Sequence, residues 1–363
     1  MPAKTNKLIQ VGLLRHLPQR NRRLGLFALL VALLPLFVQS AYALTIMIFV
    51  GLYTILTVGL CLLMGYAGQV SLGHAALYGL GAYISAIATR TYGLSPWLGL
   101  LLSMVLTGGV ALVIARPIFK LKGHYLAMAT LSMGYIIYIF FNEVSDLTGG
   151  PSGLTGVPYL SIAGWPLDND IKYYYLVWGM ALLGLLAALN LVHSRVGRAL
   201  RAIHGSEIAA ESLAVDTTRL KSQVFGISAV YAGLAGSLYA HYLTFVNPSP
   251  FGFHFSVMLV VMASVGGTAT VWGAPIGAAL VTLLTEALRA IVPKLSNHAS
   301  GEYEIIAFGL LLMLIMIYMP QGVVQGLTEL YTHRVKDQPA RVGLKGKPLF
   351  LLRRWFKTKE EAS

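Results

Sequence analysis

Ten apolar segments of roughly membrane-crossing length follow one another along the chain. They run at about 24 to 39, 43 to 64, 67 to 90, 97 to 115, 124 to 142, 173 to 192, 224 to 246, 255 to 270, 275 to 292 and 303 to 319. A helix rises about 1.5 Å per residue, so about 20 apolar residues traverse the hydrocarbon core of a bilayer. In lipid every backbone amide and carbonyl must be paired internally, which a helix achieves within its own segment. The expectation is an all-α, polytopic membrane helix bundle of about ten spans. Composition agrees, with 56% hydrophobic and 11% charged residues, where soluble domains carry about 25% charged.

The formal net charge of +13 would suit nucleic acid only if it formed a basic face on a soluble domain. Here the basic residues sit between apolar blocks, which excludes that reading and makes the lipid bilayer the partner. With the N-terminus in the cytoplasm, 23 of the 27 lysines and arginines fall on the inner side, and only Arg90, Lys172, Arg289 and Lys294 fall outside. That bias predicts two cytoplasmic termini. It divides the chain into a basic N-terminal segment 1–23, a permease-like domain 24–320 with an inner loop 193–223, and a basic tail 321–363. The start resembles the opening of a signal peptide, but no A-x-A site follows, so an uncleaved first span is expected. The tail reads as a solvated extension facing lipid headgroups. The stretch from Glu143 to Lys172, with Glu143, Asp146, Asp168 and Asp170, becomes an outer loop.

The chain lacks G-x-x-x-x-G-K-[ST], whose backbone amides cradle nucleotide phosphates, and H-E-x-x-H. Its histidines are scattered, so no metal site is expected. The single cysteine, Cys61, lies in an apolar run and reads as a buried hydrophobe. Gly150, Pro151, Ser152 and Gly153 spell G-x-S-G, as around the nucleophile of an intramembrane serine protease. Ser152, however, lies in a glycine- and proline-containing loop rather than at a buried helix start. A proton-coupled carrier would hold ionisable groups at mid-membrane. Glu286 is the one acid well inside a span, and Arg289 on the same helical face makes an ion pair the expected arrangement. His74 and His241 are expected to be hydrogen-bonded within the bundle.

Two segments interrupt the apolar pattern: GYAGQVSLG at 65–73 and SVGGTATVWGAPIG at 264–277. Unwound backbone inside a membrane is tolerated where protein or a water-filled cavity satisfies it, so such breaks mark a solute path in many transporters. Glycines also let helices approach closely, and for Gly79, Gly226, Gly233 and Gly236 close packing is the reading preferred. For the two breaks both readings stand. Each break follows a span running inward, which suggests an internal duplication of 43–142 against 224–319.

In the inner loop, Ser206 precedes EIAAESLAV, the pattern of a capped short helix ending in leucine and valine. Too short and polar to span, such a helix either offers an apolar tip to a docking partner or lies on the headgroups.

Four stretches together, GYAGQVSLGHAALYGLGAY, LTGGPSGLTGVP, SRVGRALRAIHGSEIAAESLAVDTTRLK and GGTATVWGAPIGAAL, resemble the second permease subunit of branched-chain amino-acid ABC importers. The resemblance covers roughly residues 42 to 320. It implies a multi-pass permease of the bacterial inner membrane that binds no cofactor itself. Its partners would be a second homologous permease subunit forming a heterodimer, two cytoplasmic ATPase subunits carrying ATP and Mg²⁺, and a periplasmic solute-binding protein. Carried onto this chain, the coupling helix comprises Glu207, Ala209, Ala210, Glu211, Ser212 and Leu213, flanked by Arg198 and Arg201. Ala214 departs from the glycine common at that place in the family. Gln69, Ser71, Gly73, His74, Gly266, Gly267 and Thr268 are the candidates for the solute path. The rival readings are a carrier or channel for a small polar solute such as urea, needing no ATPase, and the protease centred on Ser152.

Overall fold

The computed structural model describes residues 19–37, 40–121, 123–162 and 165–295, with a few positions between 309 and 326. Most of the expected span at 303–319, residues 1–18 of the N-terminal segment and most of the tail lie outside the described residues. Residues 1–326 form one compact unit.

Twelve helices are described. They are α1 (Gln19–Phe37), α2 (Ala41–Cys61), α3 (His74–Arg90), α4 (Pro96–Ile118), α5 (His124–Glu143) and the single turn α6 (Ser145–Thr148), then α7 (Asp170–His193), α8 (Arg195–Gly205), α9 (Glu207–Ser212), α10 (Thr217–Leu243), α11 (Phe253–Gly266) and α12 (Gly273–Leu295). Five segments are long and apolar enough to cross a membrane: Ala41–Tyr66, α4, α5, α7 and α10. Shorter apolar helices are Leu24–Phe37 and α11. The chain is thus an all-α, multi-pass membrane protein. The third expected span starts at His74 rather than residue 67, and the eighth stops at Gly266 rather than residue 270. Glycine-rich sequence stays unwound at those ends, because glycine gains least from being helical.

The segments sort into two inner and three outer members. Within an 18-residue apolar stretch of each, 78% and 89% of the residues are buried in Ala41–Tyr66 and α10, against 39%, 28% and 39% in α4, α5 and α7. Outer helices turn large apolar side chains outward, among them Val105, Ile136 and Leu183, as lipid-facing surfaces require. Helix α10 packs along α3, α4 and α2, and small residues permit it. A Cβ on Gly236 would overlap the Tyr78 carbonyl, and Gly233 accepts a 2.7 Å hydrogen bond from Ser103. The packing reading of these glycines holds.

The two ends of α10 carry different loops. At its C-terminal end, β1 (Leu154–Thr155) pairs with β4 (Phe245–Val246), and β2 (Ser161–Ile162) pairs with β3 (Trp165–Pro166). His241 joins Ser85 at 2.9 Å and the Pro158 carbonyl at 2.7 Å, which ties this loop to the bundle. Lys172 donates to Asp168 at 3.1 Å and holds that carboxyl below its ordinary range. At the N-terminal end lie α8 and α9, so the loops 144–169 and 195–216 occupy opposite faces.

Candidate functional site

Helix α2 runs into a π-helical turn, Leu62–Tyr66, and the chain then unwinds until His74. A π-turn carries one extra residue and loosens the ordinary helical pairing. The freed groups find partners on three neighbouring helices and within the segment itself. Gly65 offers its carbonyl to His204 Nδ1 at 2.8 Å, and the Gln69 amide reaches Leu63 O at 3.1 Å. The Leu72 amide donates to Thr130 Oγ1 at 3.1 Å, and the Ala75 amide to Ser256 Oγ at 3.0 Å. The Gln69 side chain closes on Ala67 O at 2.8 Å. This is how the break is tolerated: α5, α8 and α11 each lend a side chain to backbone that the helix has released. Gly68, at φ +67°, occupies the left-handed region that glycine adopts without strain.

The second break spans residues 267–272, between α11 and α12. Its glycines serve close approach: a Cβ on Gly266 would overlap the Gly273 carbonyl, and one on Gly277 the Met262 carbonyl. The two breaks meet. A Cβ on Gly65 would overlap the Thr268 carbonyl oxygen, and the Tyr66 hydroxyl reaches Ala269 O at 3.4 Å. Segments 203 residues apart in sequence therefore touch.

Of the residues singled out in sequence, Ser71, Gly73, His74, Gly266 and Gly267 are buried, while Gln69 and Thr268 are half-buried. Gly73 packs against the Thr130 carbonyl, and His74 Nε2 meets Ser228 Oγ at 3.2 Å. Among the described residues, Ser71 Oγ and His74 Nδ1 find no hydrogen-bond partner despite full burial. Beside Leu72 lies a cavity of about 240 Å³ lined by Ala76, Tyr135, Tyr138, Phe251 and Ser256, among others.

The loop 193–223 forms the expected capped short helix, with Ser206 Oγ accepting from the Ala209 amide at 3.3 Å to cap α9. Ile208 and Leu213 are 75% and 77% exposed, and Ala210 is buried beneath them. Ala209, Ser212, Arg198 and Arg201 are exposed. Glu207 is half-buried and Glu211 exposed, and both reach toward α10. Lys221 Nζ lies 2.7 Å from Glu207 Oε1, and the Thr217 hydroxyl donates to Glu211 at 2.9 Å. The Lys221 side chain is 5% exposed, so this ion pair pins α9 to α10 from within. Ala214 has φ +59°, the conformation in which a glycine would be unstrained.

Sequence reasoning passed over His204, Thr130, Ser256 and Lys221. His204 sits three residues ahead of α9 in a basic loop, where nothing in its neighbourhood marks it. Ser152 is exposed in a 3₁₀ turn, Gly150–Ser152, and no histidine bonds it among the described residues. Glu286 pairs with Arg289 at 3.1 Å and accepts from the Tyr42 hydroxyl, as an ion pair rather than an open relay. Among the described residues no cluster of three or more His, Cys, Asp or Glu could hold a metal.

Comparison with known proteins follows the same lines. The family described as "Branched-chain amino acid transport system / permease component" matches residues 42–319. The chain is 31% identical over 327 residues to the high-affinity branched-chain amino acid transport system permease protein LivM of Salmonella typhimurium, covering 84% of this chain and 75% of that one. It is 30% identical to Escherichia coli LivM over 75% of this chain and 67% of the relative. Escherichia coli LivH is 25% identical over 75% and 90%. No solved structure gives a significant match. A multi-pass bundle with two touching breaks and no phosphate-binding loop, matched over most of its length, belongs to the branched-chain amino acid transport permease family, the membrane components of ABC transporters.

Proposed function

We propose that this chain forms part of the translocation path of a high-affinity importer for branched-chain or related amino acids. It works with other ABC subunits, and its task is transport rather than catalysis. A second homologous permease completes a heterodimer in a bacterial inner membrane. Two cytoplasmic ATPases, which hold ATP and Mg²⁺, grip α9 in the loop 193–223, and a periplasmic solute-binding protein delivers the solute to the opposite face. The chain crosses about ten times with both termini inside, and its two helix–break–helix units derive from an internal duplication. The described units, α2–α3 and α11–α12, support that reading because each carries its break between the two helices.

Helix α9 is the coupling element, and its exposed Ile208 and Leu213 fit an apolar groove on an ATPase. One observation carries the proposal: the hydrogen bond from His204 to Gly65 joins the loop that bears α9 to the broken backbone. Closure of the ATPases displaces α8 and α9 together. Gly65 moves with them, and Thr268 of the second break moves with Gly65. Such rigid-body rearrangement alternates access between the two faces. The cavity beside Leu72 is mostly apolar with few polar groups, which suits a branched aliphatic side chain.

The test is co-purification in mild detergent followed by reconstitution. The chain should carry its ATPases through purification, and vesicles holding the chain alone should pass no solute. Uptake by the isolated chain, without ATP, would support the carrier reading instead.

A further inference from the structure

A groove of about 690 Å³ opens between the end of α4 and the start of α10, away from both breaks. Its floor is Leu112 and Val113, and its rim holds Arg116, Lys120 and Arg219 beside Thr218 and Gln223. Asp216 also lines it, with its carboxylate taken by the Arg219 amide at 2.9 Å as the cap of α10. Ser222 spends its proton on the Thr218 carbonyl and can only accept. Three cations thus face one carboxylate, and among the described residues none of the three is ion-paired.

The apolar floor continues down the helix. Val105 and Leu112, and likewise Leu106 and Val113, are exposed on α4 seven residues apart, about two helical turns, with exposed Gly109 between them, and Arg116 ends the same stripe. An occupant must therefore be anionic at one end, hydrocarbon at the other, and aligned with the membrane normal. We propose that the groove binds an anionic phospholipid, its phosphate held by Arg116, Lys120 and Arg219 and an acyl chain laid along Val105 to Val113. Arginine forks suit phosphate oxygens, and basic pockets between membrane helices favour anionic headgroups. The site needs neither break and does not depend on the transport reading.

The full chain, with whatever subunits accompany it, is purified in mild detergent. It is then exposed to phosphatidylglycerol or phosphatidylethanolamine of identical acyl chains, and separately to inorganic phosphate, with retained adducts read by native mass spectrometry. Phosphatidylglycerol should be retained over phosphatidylethanolamine. Each of R116Q, K120Q and R219Q should lower retention about fivefold, and the triple variant should erase the preference. R90Q/R195Q, removing charge elsewhere, should keep it. If the triple variant does not fold, R219Q alone decides. Equal retention of both lipids, an equal loss in R90Q/R195Q, or phosphate binding as readily as the lipid overturns the proposal. So does a photo-crosslinker at Gln223 that labels a protein subunit instead of lipid in native membranes.

Discussion

His204 donates through Nδ1 to the carbonyl oxygen of Gly65 across 2.8 Å, which fixes the proton on that ring nitrogen and joins the inner loop to the first break. In asparagine the amide nitrogen is as far from Cβ as Nδ1 is in histidine. H204N should therefore keep most uptake, whereas H204L should lower it about fivefold, the worth of a neutral hydrogen bond. ATPase activity stimulated by the loaded binding protein, measured beside uptake, separates lost coupling from lost folding. Equal uptake in H204L and the native chain would remove His204 from the linkage.

Gly65 has no room for a methyl group. The atom it would strike is the Thr268 carbonyl oxygen, which is backbone and cannot swing away. Gly65→Ala should cost about 2–3 kcal/mol as overpacking, seen as a lower unfolding temperature in detergent, and changing the Thr268 side chain should not rescue it.

The pair Glu207–Lys221 is unequally buried, the side chains being 26% and 5% exposed. Glu207→Ala strands a buried ammonium group and should cost about 3 kcal/mol or more. Lys221→Met should cost less, since the carboxylate it leaves behind is better solvated and near Thr217. Glu207→Leu with Lys221→Met together should recover most of the loss, because no unpaired charge remains. Denaturant or thermal titration of the four proteins checks the order.

Ala214 is strained at φ +59°. Ala214→Gly should raise stability by about 0.5–1 kcal/mol, the relief of left-handed strain less the greater freedom of the unfolded chain. Uptake should be unchanged.

Ile208 and Leu213 stand out into solvent at the tip of α9. Ile208→Asp should abolish recovery of the ATPases while leaving membrane insertion and folding intact, since the side chain touches water either way. A variant that still carries its ATPases through purification would move the docking surface elsewhere.

Much of this was legible in the chain. Lengths of apolar sequence announced a helical membrane bundle, glycines accompanied by serine, threonine or glutamine located both breaks, and Ser206 before Glu207 marked the start of α9. Other features had no local sign. That Gly65 lies against Thr268 depends on how α2, α11 and α12 pack, a relation between residues 203 positions apart that periodicity does not encode. Thr130 and Ser256 look like ordinary small polar residues in apolar helices until the unwound amides of Leu72 and Ala75 are found beside them. The pairing of Glu207 with Lys221 was equally hidden, because an alternating-charge loop does not tell which carboxylate faces Lys221. Gly68 and Gly79 show the same limit from the other side, one glycine serving a left-handed turn and the other a crowded contact with Phe251.

Helix α10 runs without interruption from the Lys221 pair at one face to the β1–β4 ladder at the other. Hemmed in by neighbours over much of its length, such a helix would act as a pushrod under the proposed mechanism. In the proposed topology, an antibody fragment that clamps the strand pair from the periplasmic side should therefore stall movement at the far end.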